Sequence, residues 1–360
     1  MKRILVAMSG GVDSSVAAFL LREAGYDVAG VTMCLGVKEA AVSTGASCCG
    51  PDAVQDARAV ADTLGISHYV LDFADELETK VIDRFVAEYR AGRTPNPCVD
   101  CNRYLKFDTL LSRAAALGFD ALATGHYARV EQRDGALVLM KARDRKKDQT
   151  YFLAGVKRSA LSSTIFPLAS LTKDEVRKIA ADARIPVAEK SESQDICFVP
   201  DGDYGRFIEE RTGATVAGPV VDISGKVLGT HRGIHSYTIG QRGGLGITAH
   251  KPLYIIRIDA PTNTIVVGGR EQLAAGGMVC RNLNLLVDAL PPIAAVKVRS
   301  TKIEVACSLT VEDEATVRVL FDRPQEAVTP GQAAVFYSGD LVLGGGTIDR
   351  VIGADGNSGR

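Results

Sequence analysis

The order of patterns along this sequence predicts an α/β chain: a doubly wound parallel sheet at the N-terminus, then a small mixed or β central domain, then a C-terminal β-barrel-like domain. Three observations carry that expectation. Strand-like and helical patterns alternate up to residue 125. The first strand empties into a Gly-Gly turn that opens at once into a helix. From Pro219 onward the helical period is lost, and short alternating runs rich in Val, Ile and Gly take its place.

The strand-like runs of the first part are Arg3–Met8, Val28–Met33, His68–Phe73 and Ala121–Gly125. Helical patterns lie between them at Ser14–Ala24, Asp52–Leu64, Asp75–Ala91 and Lys106–Leu117. Most helix starts carry Asp or Ser, and Gly25, Gly65, Gly92 and Gly118 follow the ends as C-caps. Strands separated by helices of this length imply parallel pairing with right-handed crossovers, and a ligand at the C-terminal ends of the strands. After Gly125 the period changes. Ala128–Gln132 and Ala136–Ala142 flank Arg133-Asp134-Gly135, a hairpin signal. Thr172-Lys173-Asp174-Glu175 is a capping box opening a helix to about Ala183, and Pro186 stops it. The later runs are Val220–Ile223, Leu253–Ile258, Thr264–Val267, Ala294–Val298, Ala315–Leu320, Ala333–Tyr337 and Leu341–Ile348. Pro291-Pro292 is a poor place for a strand. The expected division is 1–198, 199–275 and 276–360, with a disordered tail at 353–360.

At 360 residues the chain is long enough for two or three domains, and 46% hydrophobic with 24% charged residues is ordinary for a globular protein. No apolar run approaches the roughly 18 residues a membrane span needs. The apolar stretch at the N-terminus is too short for a signal peptide and leads straight into the Gly-rich loop, so a cytoplasmic protein is expected. A net charge of −1 gives no hint of nucleic acid. Any RNA contact needs a local basic patch, and Lys141, Arg143, Arg145, Lys146 and Lys147 form one, unless they are simply a solvated charged loop.

The turn after the first strand reads Ser9-Gly10-Gly11-Val12-Asp13-Ser14-Ser15. Two glycines let backbone N–H groups approach an anion, the helix N-terminus adds partial positive charge, and Ser9, Ser14 and Ser15 supply hydroxyl donors. The string is neither G-x-x-x-x-G-K-[ST] nor G-x-G-x-x-G, which disfavours P-loop NTPases and dinucleotide-binding dehydrogenases.

Eight cysteines are too sparse for a disulfide scaffold in a chain this long. Cys280 and Cys307 sit in apolar, strand-like contexts and read as inert core residues. Cys98 and Cys101 lie in Thr94-Pro95-Asn96-Pro97-Cys98-Val99-Asp100-Cys101-Asn102, read as a stiff loop between helices because of its two prolines. Cys197 follows in a second polar loop, Ser191-Glu192-Ser193-Gln194-Asp195-Ile196-Cys197-Phe198. Three uses stand open: reduced structural thiols; a zinc site, which would recruit Cys48-Cys49; or sulfur chemistry, with a nucleophilic thiolate and a resolving partner. The last is favoured. His68, His231, His235 and His250 show no metal spacing and read as surface or packing residues.

The Gly-Gly string resembles the PP-loop of ATP-pyrophosphatases, adenine nucleotide alpha hydrolase-like enzymes that cleave ATP between the α and β phosphates. Taken in order, SGGVDSS, TPNPCVDCNRYLKF, ATGHYAR, KKDQTYFL, SQDICFV and GIHSYTIGQRGGLGI resemble the tRNA-specific 2-thiouridylase (MnmA) family, over about residues 2 to 350. The resemblance implies ATP-dependent 2-thiolation of the wobble uridine, with the anticodon stem-loop of tRNA and a persulfide donor protein as partners. It implies Cys101 as nucleophile and Cys197 as persulfide carrier, the two pairing when sulfur leaves. It implies ATP contacts at Ala7, Met8, Ser9, Gly10, Gly11, Val12, Asp13 and Ser14, and at Met33 and Gly125, with Asp13 holding Mg²⁺ on the pyrophosphate. Asn96, Pro97 and Cys98 would line the target base. His126, Lys147, Asp148, Gln149 and Thr150 would touch tRNA, as would Arg299, Ser300 and Gln332; for Gln332 an ordinary turn before a strand stands as the alternative.

One departure matters. Well-known members carry Asp at the position of Cys98, so the assisting carboxylate is missing, with Asp100 two residues away as an unsupported substitute. Cys98, Cys101 and Cys197 also match the three-cysteine pattern by which other tRNA thiolases hold a [4Fe–4S] cluster. Two rivals are weaker. Another PP-loop ligase has no need of two cysteine segments, and a non-catalytic RNA-binding protein would be expected to have lost Asp13 or the glycines.

Overall fold

The computed structural model describes residues 1–36, 51–190, 196–199, 201–213 and 215–354. The pair Cys48-Cys49, most of the polar segment before Cys197 and the residues after 354 lie outside that set. Two compact units divide the chain: 1–81 with 98–202 and 340–342, and 82–97 with 203–339 and 343–360. Among the described residues no helix is long and apolar enough to cross a membrane.

The first unit is built on strands β1 (Arg3–Ala7), β2 (Asp27–Cys34) and β3 (Ser67–Asp72), with helices α1 (Val12–Glu23) and α2 (Pro51–Leu64) in the crossovers. Helical segments follow as α3 (Ala74–Leu77), a π-helical turn Glu78–Ile82, α4 (Asp83–Arg90, in the second unit), α5 (Pro97–Asp100), a π-helical stretch Cys101–Leu110 and α6 (Leu111–Ala116). Then come β4 (Ala121–Thr124), the hairpin β5 (Ala128–Arg133) and β6 (Ala136–Lys141), α7 (Thr150–Leu153), β7 (Thr164–Ile165) and α8 (Lys173–Asp182). The sheet order is β3-β2-β1-β4-β7, and every pairing in it is parallel. Ile4, Val6, Val16, Ala17, Val60 and Ala123 are among its fully buried core residues. This is the expected parallel α/β domain, and its order reverses between β1 and β4, where such sheets open their ligand crevice.

The expected glycine C-caps and the capping box of α8 are present, but α1 and α3 open at Gly11 and Phe73 with no side-chain cap. Gly25, Gly65, Gly92 and Gly118 all have positive φ, and Thr172 and Glu175 complete the capping box of α8. At the hairpin turn both Asp134 (φ 50°) and Gly135 (φ 80°) are left-handed, the geometry that matches strand twist. One expectation changes. The cysteine pair is not in a loop, because helix begins at Pro97. Proline's fixed φ suits the first helical position, where its missing N–H is no loss. Only residues 93–96 are irregular, and Cys98 and Cys101 lie on helical backbone three residues apart, hence on one face.

The second unit begins its later part with α9 (Tyr204–Thr212) and a four-stranded sheet of β8 (Gly218–Asp222), β9 (Val227–His231), β10 (Tyr254–Asp259) and β11 (Thr264–Gly268), in the order β10-β11-β8-β9. Val220, Ile255, Ile265 and Val267 fill its core. Strands β12 (Ala274–Leu285), β13 (Ile293–Lys297), β14 (Val305–Asp313), β15 (Thr316–Glu326), β16 (Ala333–Ser338) and β17 (Leu341–Gly353) follow. They run β12-β15-β14-β13-β16-β17, and the β12–β17 pairing closes the barrel. Closure removes the exposed sheet edges that six short strands would otherwise present. Helices α7 and α9 and strands β7 and β9 are not marked by the sequence patterns, and β12 and β14 are marked only through the strand-like contexts of Cys280 and Cys307.

Candidate active site

The chain leaves β1 at Ala7, and Met8 N–H donates to the Val31 carbonyl at 2.8 Å, carrying the strand's line one residue into the turn. Gly10 has φ +68°, and a Cβ there would stand 2.5 Å from the Ala53 carbonyl on α2, so only glycine fits. Gly11 is the cap of α1 and has no side chain to occupy the first-turn N–H groups. The serines do more bracing than expected. Ser14 and Ser15 are buried, their hydroxyls donate to the Gly11 carbonyl at 3.1 and 2.9 Å, and Ser14 Oγ accepts from Ser9 N–H. They fix the loop, leaving Ser9, which is exposed, as its outward hydroxyl.

Gly125 follows β4, the neighbour of β1, and lies directly on this loop. A Cβ on it would sit 2.6 Å from Ser14 N and 2.7 Å from Asp13 C. Asp13 is held from two sides: Lys173 Nζ donates to both carboxylate oxygens at 2.8 Å, and Tyr127 Oη donates to Oδ1 at 2.8 Å. Lys173 is the first residue of α8 and almost wholly buried. A second lysine reaches the loop from Lys190, whose Nζ donates to the Gly10 carbonyl at 3.2 Å and pairs with Asp56 at 2.5 Å. Neither lysine is distinguished by the sequence patterns, since Lys173 reads only as part of a capping box. A single carboxylate at a phosphate loop suits Mg²⁺, which is held mostly by phosphates and water. The fit requires Asp13 to share or exchange its contact with Lys173.

Beyond β4, His126 Nδ1 lies 2.7 Å from Thr124 Oγ1, and its ring packs against Phe107 and Phe166, with centroids 5.9 and 6.2 Å away. Burial first, and then the Lys106 charge, push its pKa well below the usual value, so the ring is neutral at pH 7. The 144–150 segment is tied to the same place. Gln149 exchanges hydrogen bonds with the Tyr127 backbone (Tyr127 N to Oε1 and Gln149 N to Tyr127 O, both 2.9 Å). Asp148 accepts from Ala142 N and Thr150 Oγ1. Asp144 accepts from the N–H groups of Lys146, Lys147 and Lys173; burial opposes its charge, but those bonds prevail and its pKa falls. In the basic run, Arg143 pairs with Glu175 and Arg145 with Asp340. Both pairs are well exposed and therefore weak, so a phosphate could displace either carboxylate at low cost.

Cys98 is exposed and Cys101 and Cys197 are half-buried, all three as thiols. The helix carrying Cys101 is anchored by the next residue: Asn102 is buried and donates to the Phe152 carbonyl at 3.1 Å. Among the described residues no three His, Cys, Asp or Glu side chains are grouped so as to hold a metal. Cys98, Cys101 and Cys197 therefore do not fit a [4Fe–4S] cluster in this structure, and no chemistry is routed through one; Cys48-Cys49 lie outside the described residues. Cys280 and Cys307 are buried core thiols, and burial raises both, Cys307 to about 12. Met33 is buried near the end of β2.

The second unit holds the other expected contacts. Gln332 Nε2 donates to the Thr94 carbonyl at 2.8 Å and to that of Pro95 at 3.4 Å, and Thr94 N–H donates to the Pro330 carbonyl. The Pro-Gly-Gln turn thus braces the backbone leading to half-buried Asn96 and buried Pro97. Arg299 donates to Thr329 Oγ1 and to the Ile239 carbonyl, and Ser300 is half-buried beside it. His231 and His235 are buried and bonded to the Asn263 carbonyl and Glu209, packing roles as expected.

Three family profiles match consecutive stretches: a tRNA methyl transferase HUP domain over residues 2–201, a tRNA methyl transferase PRC-barrel domain over 205–269 and an aminomethyltransferase beta-barrel domain over 276–348. The tRNA-specific 2-thiouridylase MnmA 1 of Syntrophus aciditrophicus is 54% identical over 351 residues, covering 98% of this chain and 94% of its own length. The chain belongs to the tRNA-specific 2-thiouridylase family. Other members of this 2-thiouridylase family, from Symbiobacterium thermophilum and Carboxydothermus hydrogenoformans, are each 48% identical; they cover 98% and 97% of this chain and are themselves covered over 93% and 98% of their lengths. In this 2-thiouridylase family member the phosphate loop, the hairpin and all three functional-candidate cysteines fall within the HUP profile, and the closed barrel coincides with the third profile.

Proposed function

We propose that this enzyme converts the wobble uridine of tRNA to 2-thiouridine with ATP as the activating substrate. The observation that carries the reading is the phosphate loop at the β1/β4 switch point, closed over by Gly125 and joined in one compact unit to Cys101 and Cys197. The name of the relatives supplies the substrate class.

Uridine O2 attacks the α-phosphate of ATP, forming a P–O bond while the bond to pyrophosphate breaks. The residues from Ala7 to Ser14, with Met33 and Gly125, hold the nucleotide. Mg²⁺ on Asp13 would neutralise charge on the departing pyrophosphate. Adenylation makes C2 electrophilic. The Cys101 thiolate then attacks the inner sulfur of a Cys197 persulfide, forming a Cys101–Cys197 disulfide and releasing hydrosulfide. The hydrosulfide adds at C2 and AMP leaves, so the sulfur replaces O2. A thiol reductant reduces the disulfide, restoring both thiols and being oxidised itself, and a persulfide-bearing donor protein reloads Cys197. Asn96, Pro97 and Cys98 line the flipped base, and an anticodon loop makes that flip inexpensive. His126, Lys147, Asp148, Gln149, Thr150, Arg299, Ser300 and Gln332 are proposed RNA contacts, or hold the segments that make them. The domain limits 1–198, 199–275 and 276–360 and a cytoplasmic setting belong to the same proposal.

The test is nucleoside mass spectrometry of unmodified tRNA incubated with the protein, ATP, Mg²⁺ and sulfide or a persulfide donor. ATP-dependent replacement of oxygen by sulfur is expected. Cys101→Ser and Cys197→Ser should abolish it with a persulfide donor while leaving tRNA binding intact. ATP-dependent AMP release with no exchange of oxygen for sulfur, or equal loss of RNA binding in both variants, sinks the reading.

A further inference from the structure

The phosphate loop has a charge problem. Residues Ser9–Ser15 contain no Lys or Arg and one Asp, so the side chains of the loop are net anionic. A Walker-type loop carries its own lysine for the β and γ phosphates; this one does not. The helix N-terminus offers roughly half a charge, far less than the pyrophosphate part of ATP brings. Beside the Mg²⁺ that Asp13 would hold, any further cation must reach the loop from elsewhere in the unit.

Two do. Lys173 Nζ sits on Asp13 at 2.8 Å from both oxygens, and Lys190 Nζ sits on the Gly10 carbonyl at 3.2 Å. They approach different residues of the same seven-residue loop, from chain positions 160 and 180 residues away. Lys173 has only 9% of its side chain exposed, an unusual position for a lysine. Its backbone is fixed as well, because its N–H is held by Asp144 and its helix by the Thr172–Glu175 box. Lys190 is steadied by Asp56 on α2, the helix against which Gly10 packs.

We infer that Lys173 and Lys190 form the pyrophosphate-binding pair of this site, the cations that receive the β and γ phosphates of ATP and stay with pyrophosphate as it departs. This rests on the nucleotide reading above and adds residues to it. The two ammonium groups are held by Asp13 and Asp56, which keeps them at the loop. When the triphosphate enters, each ammonium has donors to share between its carboxylate and a phosphate oxygen. Removing Lys173 deletes a phosphate donor and also takes the ammonium partner from Asp13.

The discriminating readout is the difference between ligands that carry the β and γ phosphates and one that does not. Calorimetric titration with ATP, pyrophosphate and AMP, at fixed Mg²⁺, is made on wild type and on Lys173→Gln, Lys190→Gln, Lys173→Arg and Lys190→Arg. The Gln variants should weaken ATP and pyrophosphate by roughly ten- to hundred-fold, the usual loss for a charge-assisted hydrogen bond, while AMP changes less than about two-fold. The Arg variants, which keep the charge and the ion pairs, should recover most of the loss. Equal weakening of ATP and AMP would overturn the inference, since it would mean that the lysines only hold the loop's shape. Unchanged ATP and pyrophosphate affinity in the Gln variants would overturn it as well. Wild-type protein that binds no ATP would instead overturn the nucleotide reading itself, before any variant is compared.

Discussion

Gly125→Ala is the smallest change that should disable the nucleotide site. The added Cβ would stand 2.6 Å from Ser14 N and 2.7 Å from Asp13 C, both backbone atoms of the phosphate loop. Ordinary contact needs about 3.5 Å, so the loop or the turn after β4 must retreat by roughly 0.9 Å. Neither can do so freely. Ser14 and Ser15 lock the loop onto the Gly11 carbonyl, Gly10 lies against α2, and Tyr127, two residues after Gly125, is bonded to Asp13. Overpacking of this kind costs about 1–3 kcal/mol of stability. A shift near 1 Å in a positioning element costs on the order of 100-fold in rate. The assay is AMP release with tRNA present, alongside ATP affinity and urea denaturation. The expected variant stays folded, with a modestly lower midpoint, intact tRNA binding and about 100-fold slower AMP release. An alanine variant that loses stability yet keeps wild-type ATP affinity and turnover would refute the placing of ATP against Gly125.

Two further outcomes follow from named contacts. His126 has a folded pKa below its ordinary 6.5, so the native state binds fewer protons than the unfolded one. Its contribution is constant above pH 6.5 and is lost as pH falls toward the depressed value; between pH 7 and about pH 5, above the main carboxylate range, wild type should therefore lose more denaturation midpoint than His126→Gln, and equal losses would remove the burial account. Gln332→Ala deletes the donors to Thr94 and Pro95 and should cost about 1 kcal/mol in denaturant unfolding while slowing thiolation; unchanged stability with weakened tRNA binding alone would mark Gln332 as an RNA contact rather than a brace.

The parts that were legible in the sequence were those whose causes are local. Alternation of periods, glycines needing positive φ, the Thr172–Glu175 box and the Asp134-Gly135 turn each state their geometry within a few residues. Where the reading fell short, the cause was usually distant or mixed. Strand β7 is two residues long and exists because β4 offers it an edge. Strand β12 contains Gly276-Gly277 and several register shifts, so it shows no clean period, although both β15 and β17 pair with it. Strand β14 is different: Val305, Cys307 and Leu309 alternate inward, a period-two signal of which the strand-like context of Cys307 is one part. Pro97 is ambiguous from sequence, since proline marks a loop in many settings but favours helix at the first helical turn. The two lysines at the loop had no local signal at all, since tertiary contact alone brings residues 173 and 190 to residues 13 and 10.

The same contacts bear on how a two-substrate enzyme of this kind keeps its parts in register. Tyr127 is the shared member: its backbone is bonded to Gln149, its hydroxyl to Asp13. Asp144 makes a second tie, from the N–H groups of Lys146 and Lys147 to that of Lys173, whose side chain returns to Asp13. Residues 144–150 and the phosphate loop are therefore linked twice through fixed hydrogen bonds. Asp148, Gln149 and Thr150 turn polar side chains inward to build this segment. A segment meant only to attract phosphate would leave such groups to solvent and gain nothing from rigidity. For the reaction proposed above, in which O2 of one substrate attacks the α-phosphate of another, rigidity is worthwhile, because orientation itself supplies much of the rate.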